Sequence, residues 1–253
     1  MFRLHQLLDQ CFQYIRVAEL QPVVLETLKH TRNVPQVYLE HLATHNDLVA
    51  LCPISTKRQV WALAKSLFRQ HITPIIDAYV FDEALWESFR EYRTEAAPST
   101  APNRRHQTCV QQLCEAIGAS ITLYNETLRL LRLYFVETGH PLLCALRADI
   151  LMELHDADVV EIYKEDPCHM LAWSLDACVR HNSMEPRRVK EIQTFFDGIT
   201  IESAYGDIAM IISDPLSFHM LAYNVIVLLH QRVETALSAK DQNEVRKKGK
   251  PKA

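Results

Sequence analysis

The fold class is decided by one stretch of the chain, Ser120-Ile-Thr-Leu-Tyr-Asn-Glu-Thr-Leu-Arg-Leu-Leu-Arg-Leu-Tyr-Phe-Val-Glu-Thr-Gly139. Its leucines and aromatic residues recur at the spacing of a helix with one buried face, a pattern typical of a packed core. Gly139 ends this helix, as Gly118 and Gly198 end two others. The next helix, 141–155, begins at Pro141. The stretch therefore predicts two consecutive helices joined by a short turn.

The same pattern continues on both sides of this stretch. Towards the N-terminus, the apolar residues of 4–15 share one helix face, and Pro22 fits the first turn of a second helix. Towards the C-terminus, Asp166-Pro167 and Asp214-Pro215 are helix-start signals, because the acid accepts hydrogen bonds from unpaired backbone donors. These two starts lie 48 residues apart, near the roughly 40–47 residues of HEAT and armadillo units.

Several further helices follow from apolar periodicity and proline positions. The segment 56–71 predicts one helix, and Thr73-Pro74 predicts the start of another. The last helix, 215–238, is apolar on nearly every side as far as Gln231, so we expect it to lie deep in a core. With about nine to eleven short helices, the sequence predicts an all-α fold of HEAT/armadillo-like stacked helical pairs, an α-solenoid. An irregular helical bundle is the alternative.

The glycine content excludes several other fold classes. The 253 residues include 5 glycines, about 2 % of the chain, against roughly 7 % in average proteins. Cofactor folds with glycine-rich phosphate loops, and β-folds with frequent tight turns, need glycine at many corners. We therefore exclude dinucleotide-binding folds, P-loop enzymes, β-sandwiches and propellers, and we predict no cofactor.

The chain divides into four segments by composition. Residues 1–95 form an N-terminal helical part, and the Pro- and Ala-rich segment 96–103 is linker-like. Residues 104–238 form a C-terminal helical part of the same scaffold, and 239–253 is predicted to be a basic disordered tail. The net charge is −4, but the tail carries +4 and the preceding body −8, so we expect weak or absent nucleic-acid contact by the body.

Cysteine usage and hydropathy bear on localisation. The seven cysteines are odd in number and show no C-x-x-C spacing, which favours buried thiols in a reducing compartment. The N-terminal residues lack a secretory signal, and the longest uncharged run, 215–231, contains polar residues and falls short of a membrane span. These features predict a cytosolic or nuclear protein without a membrane segment.

Two groups of residues invite a metal-site hypothesis. His155-Asp156 resembles the centre of an all-helical HD-type metallohydrolase, a hypothesis that needs further ligands from His140, His169, Asp158 or Asp166. The alternative is that His155 and Asp156 simply close a helix.

The second group is a zinc-like set formed by Cys168, His169, Cys178 and His181. The adjacent side chains of Cys168 and His169 diverge on a helix, so buried thiols and surface histidines are the alternative. No G-x-S-x-G motif occurs. We therefore predict a non-enzymatic protein with no catalytic, cofactor-binding or metal-binding residue.

The C-terminal tail is the most basic segment of the chain. Five basic residues lie within seven positions: Arg246, Lys247, Lys248, Lys250 and Lys252. This pattern is typical of a nuclear-import signal or a polyanion contact. The alternative is a solubilising terminus without a partner.

Seven strings, taken together in their order and spacing, resemble one known family, the B subunit of the negative elongation factor. None of them is a catalytic motif, so the specificity lies in their joint order. They are Leu20-Gln-Pro-Val-Val24, Lys57-Arg-Gln-Val-Trp61, Leu146-Arg-Ala-Asp-Ile-Leu-Met-Glu-Leu-His-Asp156, Asp166-Pro-Cys-His169, Trp173-Ser-Leu-Asp-Ala-Cys178, Phe196-Asp-Gly198 and Gly206-Asp-Ile-Ala-Met-Ile-Ile-Ser-Asp-Pro215.

The resemblance implies a nuclear HEAT-type scaffold without an active site, within a complex that holds RNA polymerase II in promoter-proximal pausing. In that family the B subunit joins the C/D subunit, which is paired with the A subunit, to the RNA-recognition E subunit. Family members are longer and continue with further helical repeats, to which contact with the E subunit is attributed. The resemblance therefore implies a C/D-like partner first, and contact with RNA polymerase II only through the complex. A general helical protein–protein adaptor is the remaining alternative.

Overall fold

A computed structural model describes residues 2–84, 86–87, 108–181, 183–198, 205–215 and 217–248. Within these ranges it contains 14 α-helices, one 3₁₀ helix and no strand. The all-α prediction is therefore confirmed for the described residues. None of these helices combines the length and apolar character that a bilayer span needs.

The N-terminal helices are short and share a small core of their own. That core includes Leu8, Phe12, Leu28, Leu42 and Val60. The elements are α1 (Phe2–Cys11), the 3₁₀ helix (Phe12–Arg16), α2 (Gln21–His30), α3 (Gln36–Ala43), α4 (Asn46–Leu51) and α5 (Ile54–Leu63).

The remaining helices surround a second, larger core. It begins at Trp61 and extends to Leu221, so residues on both sides of the segment 96–103 share it, while that segment itself lies outside the described residues. The elements are α6 (Lys65–Val80), α7 (Thr108–Ile117), α8 (Ile121–Thr138), α9 (Pro141–Asp156), α10 (Val160–Tyr163), α11 (His169–His181), α12 (Pro186–Gly198), α13 (Tyr205–Ile212) and α14 (Phe218–Lys248).

Helix α9 lies at the centre of the larger core. It contacts α6, α7, α8, α10, α11 and α13, and 12 of its 16 residues are buried. Gly139 ends α8 at a φ of 65°, and the His140 side chain accepts a hydrogen bond from the backbone of Leu142 before Pro141 starts α9. The turn predicted between these two helices is therefore present, and it directs α9 into the core.

The helix boundaries predicted at Thr73-Pro74 are wrong. Pro74 lies inside α6, and the break falls instead at Ala64, whose φ of −113° and ψ of 77° are not helical. Proline removes one backbone hydrogen bond, but α6 buries Phe68, Ile72 and Ile76 completely. Burial of that face outweighs the local cost, so the helix continues through the proline.

Helix α14 reaches Lys248, whereas the sequence predicts a disordered tail from residue 239. Seven of the ten residues of segment 239–248 are lysine, arginine, alanine, glutamine or glutamate, which are good helix formers. This intrinsic propensity accounts for the helical backbone of these residues.

Candidate interaction surface

A buried polar network fixes α9 relative to its neighbours. Arg147 is fully buried in the middle of α9, with its Nη2 atom 3.1 Å from Oδ2 of Asp166. Its Nε atom lies 3.6 Å from Oδ1 of Asp207 in α13. Burial opposes the charge on Arg147, but Asp166, Tyr124 and Asp207 outweigh that effect and raise the pKa of the guanidinium above its ordinary value. The charged arginine therefore ties α9 to α13 and to the residues that precede α11.

Asp166 is the centre of this network. It accepts hydrogen bonds from the Tyr124 hydroxyl of α8 and, at 2.7 Å, from the backbone N–H of Cys168. Burial and the neighbouring Asp166 carboxylate raise the pKa of Tyr124, which keeps the phenol protonated. Asp207 also accepts from Arg132 of α8 at 3.0 Å. One set of charges thus joins α8, α9 and α13 to the segment that precedes α11, and its role is structural.

Helix α14 has one buried face and one exposed apolar face. Met220, Leu221 and Leu228 are buried, and the helix contacts α11 and α12. The opposite side carries five large apolar residues, spaced three or four apart, that we name the apolar stripe. Its members and their exposed fractions are Tyr223 (54 %), Ile226 (65 %), Leu229 (58 %), Val233 (57 %) and Leu237 (57 %).

The sequence predicts that the last helix lies deep in a core. That prediction is wrong for the side of α14 that carries the apolar stripe. The apolar stripe spans about four helical turns, and contiguous exposed apolar surfaces of this kind mark interaction sites on soluble proteins. Asn224, on the inner side, is fully buried and donates a hydrogen bond to the backbone oxygen of Met220 at 2.8 Å. The apolar stripe is the best candidate for a partner-binding surface among the described residues.

The structure brings together two of the residues considered for an HD-type centre. Nδ1 of His155 lies 3.0 Å from Nε2 of His169, and the Tyr163 ring centroid lies 4.9 Å from each imidazole. Burial, followed by the nearby His155, lowers the pKa of His169. Asp156 forms an ion pair with Arg180 at 3.5 Å.

The other candidate ligands for that centre have structural contacts of their own. His140 caps α9, Asp158 accepts a hydrogen bond from Tyr163 at 3.0 Å, and Asp166 binds Arg147. Across the described ranges, no group of three or more His, Cys, Asp or Glu side chains is placed to hold a metal ion.

The zinc-like set is also divided between the interior and the surface. Cys168 and Cys178 are buried free thiols, while His181 is exposed. Burial raises the pKa of the Cys168 thiol to about 12, so this cysteine stays protonated and is a poor metal ligand at neutral pH. These placements agree with the alternative of buried thiols and surface histidines.

The basic residues of the tail are placed only in part. The backbone of Arg246, Lys247 and Lys248 forms the end of α14. Lys250 and Lys252 lie outside the described residues.

Sequence reasoning missed both the Arg147 network and the apolar stripe. Arg147 and Asp149 interrupt an otherwise apolar run from Leu142 to Met152, and such charges inside a predicted core helix are the signal that would have indicated a buried network. The apolar stripe has no comparable signal, because its residues look like core residues in the sequence.

Comparison with known proteins decides the family. The family model described as Cofactor of BRCA1 (COBRA1) matches residues 18–246 of this chain. The chain belongs to the COBRA1 family. The match covers nearly all of the described helices, including α9 and the apolar stripe of α14.

Three relatives of this COBRA1-family chain carry the name Negative elongation factor B. The mouse protein is 32 % identical over 247 residues, which are 96 % of this chain and 43 % of that protein. The human protein is 34 % identical over 235 residues, 91 % of this chain and 40 % of that protein. The Drosophila melanogaster protein is 35 % identical over 234 residues, 91 % of this chain and 39 % of that protein. The chain thus spans about two fifths of the length of these relatives.

Proposed function

We propose that this chain is a non-enzymatic scaffold subunit of a negative elongation factor complex, which promotes promoter-proximal pausing of RNA polymerase II. The observation that carries the proposal is the COBRA1-family match over residues 18–246 together with the name shared by the three relatives. Among the side chains considered as ligands, His140 caps α9, Asp166 pairs with Arg147 and Cys168 lies in the larger core, so these three have structural roles.

The scaffold is a set of HEAT/armadillo-like stacked helical pairs, with an irregular bundle as the alternative. Consecutive helices such as α1 and α2, α5 and α6, and α11 and α12 contact each other, as in stacked repeats. The Arg147 network holds α8, α9, α13 and the segment before α11 in a fixed arrangement. A rigid stack of this kind presents long helix surfaces to partners.

The proposed partners are other negative elongation factor subunits, above all a C/D-like subunit, with RNA polymerase II bound indirectly. An E-like subunit is the weaker proposal, because in the family that contact is attributed to further helical repeats. The apolar stripe on α14 supplies a surface that a protein partner buries. The acidic body disfavours general nucleic-acid binding, and the basic residues at the end of α14 suit nuclear import.

Affinity purification of the tagged chain from nuclear extract tests the proposal. We expect recovery of the C/D-like subunit in stoichiometric amount, and a soluble complex when the two chains are co-expressed. The matched control is a variant in which Ile226→Glu and Val233→Glu place charges in the apolar stripe. Recovery of other helical proteins without any negative elongation factor subunit would support the general adaptor. A soluble monomer that does not bind the C/D-like subunit would overturn the scaffold proposal.

A further inference from the structure

Three basic side chains meet where the 3₁₀ helix approaches α3. Nη2 of Arg16, in the last turn of the 3₁₀ helix, lies 2.6 Å from Nε2 of His45 and 3.3 Å from Nε2 of His41. His41 lies in the last turn of α3, and His45 directly precedes α4. We name these three residues the Arg16 cluster. We propose that the Arg16 cluster is a pH-sensitive contact, which joins the 3₁₀ helix to α3 at neutral pH and separates when the histidines are protonated.

The contacts of His45 define its protonation state. A guanidinium donates hydrogen bonds and accepts none, so Nε2 of His45 accepts from Arg16 through its lone pair. On the other side of the ring, Nδ1 lies 2.8 Å from the backbone oxygen of His41. A carbonyl oxygen accepts hydrogen bonds and donates none, so Nδ1 carries the single ring proton. The Arg16 cluster therefore requires a neutral His45 in the Nδ1–H form.

His41 is subject to the same constraint. Its Nε2 faces the same guanidinium nitrogen, and its ring stacks on that of His45 with 4.7 Å between the centroids. Protonation of both imidazoles would bring three positive charges together, which repel one another. Burial, then Arg16 and then His45 lower the pKa of His41, so the folded chain favours the neutral imidazole.

The acidic side chains nearest in the fold have other partners. Asp9 of α1 accepts a hydrogen bond from the Tyr38 hydroxyl at 2.5 Å, and Glu40 of α3 accepts one from Gln36 at 2.9 Å. The charges that act on His41 come from the other two members of the Arg16 cluster. A proton added here therefore meets positive charge. The remaining charged or titratable residues of the surrounding helices are Arg3 and His5 of α1, Glu26, Lys29 and His30 of α2, Asp47 of α4, and Lys57 and Arg58 of α5.

Apolar packing limits what the loss of this contact does. The Phe12 ring, one turn before Arg16, lies 4.4 Å from the Tyr38 ring and 5.6 Å from the His41 ring. Phe12 belongs to the small N-terminal core, and its burial does not depend on charge. Acidification is therefore expected to release the Arg16 end of the 3₁₀ helix while Phe12 stays in the core.

The direction of the pH effect follows from the lowered pKa of His41. A base whose pKa is lower in the folded than in the unfolded chain binds fewer protons when folded, so stability rises with pH between the two values. The contribution is fully present above the ordinary histidine pKa of 6.5 and is lost as the pH falls through the folded pKa. The Arg16 contact is therefore formed at neutral pH and lost in acid.

Histidine NMR of the isotope-labelled full chain tests the protonation states. At about pH 7.5 we expect the ring nitrogen shifts of His45 to report the Nδ1–H form, which is the minor tautomer of free histidine in water. We expect His41 to titrate at a higher pH in Arg16→Gln than in the parent. Arg32→Gln is the matched control, because it removes another exposed arginine of the N-terminal part and is expected to leave the His41 titration unchanged.

Thermal unfolding over the same pH range tests the structural consequence. We expect Arg16→Gln to melt below the parent at about pH 7.5, and this difference to disappear by about pH 5. In a chain that also carries His41→Gln and His45→Gln, the effect of Arg16→Gln is expected to be the same at every pH. Circular dichroism of each variant at neutral pH establishes that its helix content equals that of the parent.

Three results would overturn the proposal. They are a neutral His45 in the Nε2–H form, an effect of Arg16→Gln on melting temperature that does not change with pH, or an Arg32→Gln variant that shifts the His41 titration as much as Arg16→Gln does. Each of them would show that the guanidinium of Arg16 and the protonation of the two histidines are not coupled.

Discussion

The guanidinium of Arg147 lies 3.1 Å from the carboxylate of Asp166, and neither side chain is exposed to solvent. The two residues are 19 positions apart in sequence, and their contact joins the centre of α9 to the segment that leads into α11. A buried charge without its partner is costly. The stability of the larger core therefore depends on this pair.

Asp166→Asn tests that dependence. Removing this charge leaves the buried Arg147 with only the longer, 3.6 Å contact to Asp207, and we expect a loss of about 3–5 kcal/mol in the free energy of unfolding. Urea denaturation followed by circular dichroism measures it. Asp197→Asn is the control, because its pair with Arg232 is exposed on both sides and is worth about 0–1 kcal/mol. Equal effects of the two substitutions would contradict the structural role of the buried pair.

The two left-handed glycines make a matched pair for a second prediction. Gly118 and Gly139 have φ angles of 55° and 65°, so alanine costs about 1–2 kcal/mol at each position. A Cβ at residue 118 would also lie 2.6 Å from Nε of Arg58, whereas nothing lies within 4 Å at residue 139.

We expect Gly118→Ala to destabilise the chain more than Gly139→Ala. The reason is that Arg58 must move away from the backbone oxygen of Glu115, to which its Nε donates at 2.9 Å. Gly198→Ala is the control, since its backbone is not left-handed and the added Cβ meets nothing within 4 Å. Thermal unfolding of the three variants measures the order, and a Gly139→Ala variant that is the least stable would refute it.

The apolar stripe gives a prediction about association. Replacing Ile226 and Val233 by glutamate removes apolar surface that is already in water, so the free energy of unfolding is expected to change by less than about 0.5 kcal/mol. The isolated parent chain is expected to self-associate through this surface, and the double variant to elute as a smaller species in size-exclusion chromatography with light scattering. Val23→Glu, at an exposed apolar residue of α2, is expected to leave association unchanged.

The helix pair α8 and α9 was predictable from the sequence. The contact between His155 and His169 and the exposure of Ile226 were not. Gly139 and Pro141 are local signals, because left-handed geometry and the first helical turn each favour one residue type. The contact between His155 and His169 depends on how α10 turns the chain between two helices, and no spacing rule fixes that path. The exposure of Ile226 depends on what packs against α14, which its apolar character alone does not reveal.

The basic end of the chain gives a prediction about localisation. Replacing Arg246, Lys247, Lys248, Lys250 and Lys252 by glutamine removes all five basic residues of the import-like pattern. We expect a fluorescent fusion of this variant to move from the nucleus to the cytoplasm. Glutamine at Arg187 and Lys190, two exposed basic residues of α12, provides the control. Unchanged nuclear accumulation of the tail variant would leave a solubilising terminus as the explanation.

Glu126 gives a prediction about acid stability. Its carboxylate is 4 % exposed and bonds Arg129 of α8 and Arg69 of α6. Burial raises its pKa, but the two arginines together lower it below the ordinary value of 4.5. Between the folded and unfolded pKa values the unfolded chain binds more protons, so this contribution is present above pH 4.5 and disappears as the pH falls through the folded pKa. We expect Glu126→Gln to cost about 1–2 kcal/mol at pH 7 and progressively less towards pH 3. Urea midpoints across this range measure the difference, and a gap that widens with acidification would show that Glu126 does not act through its charge.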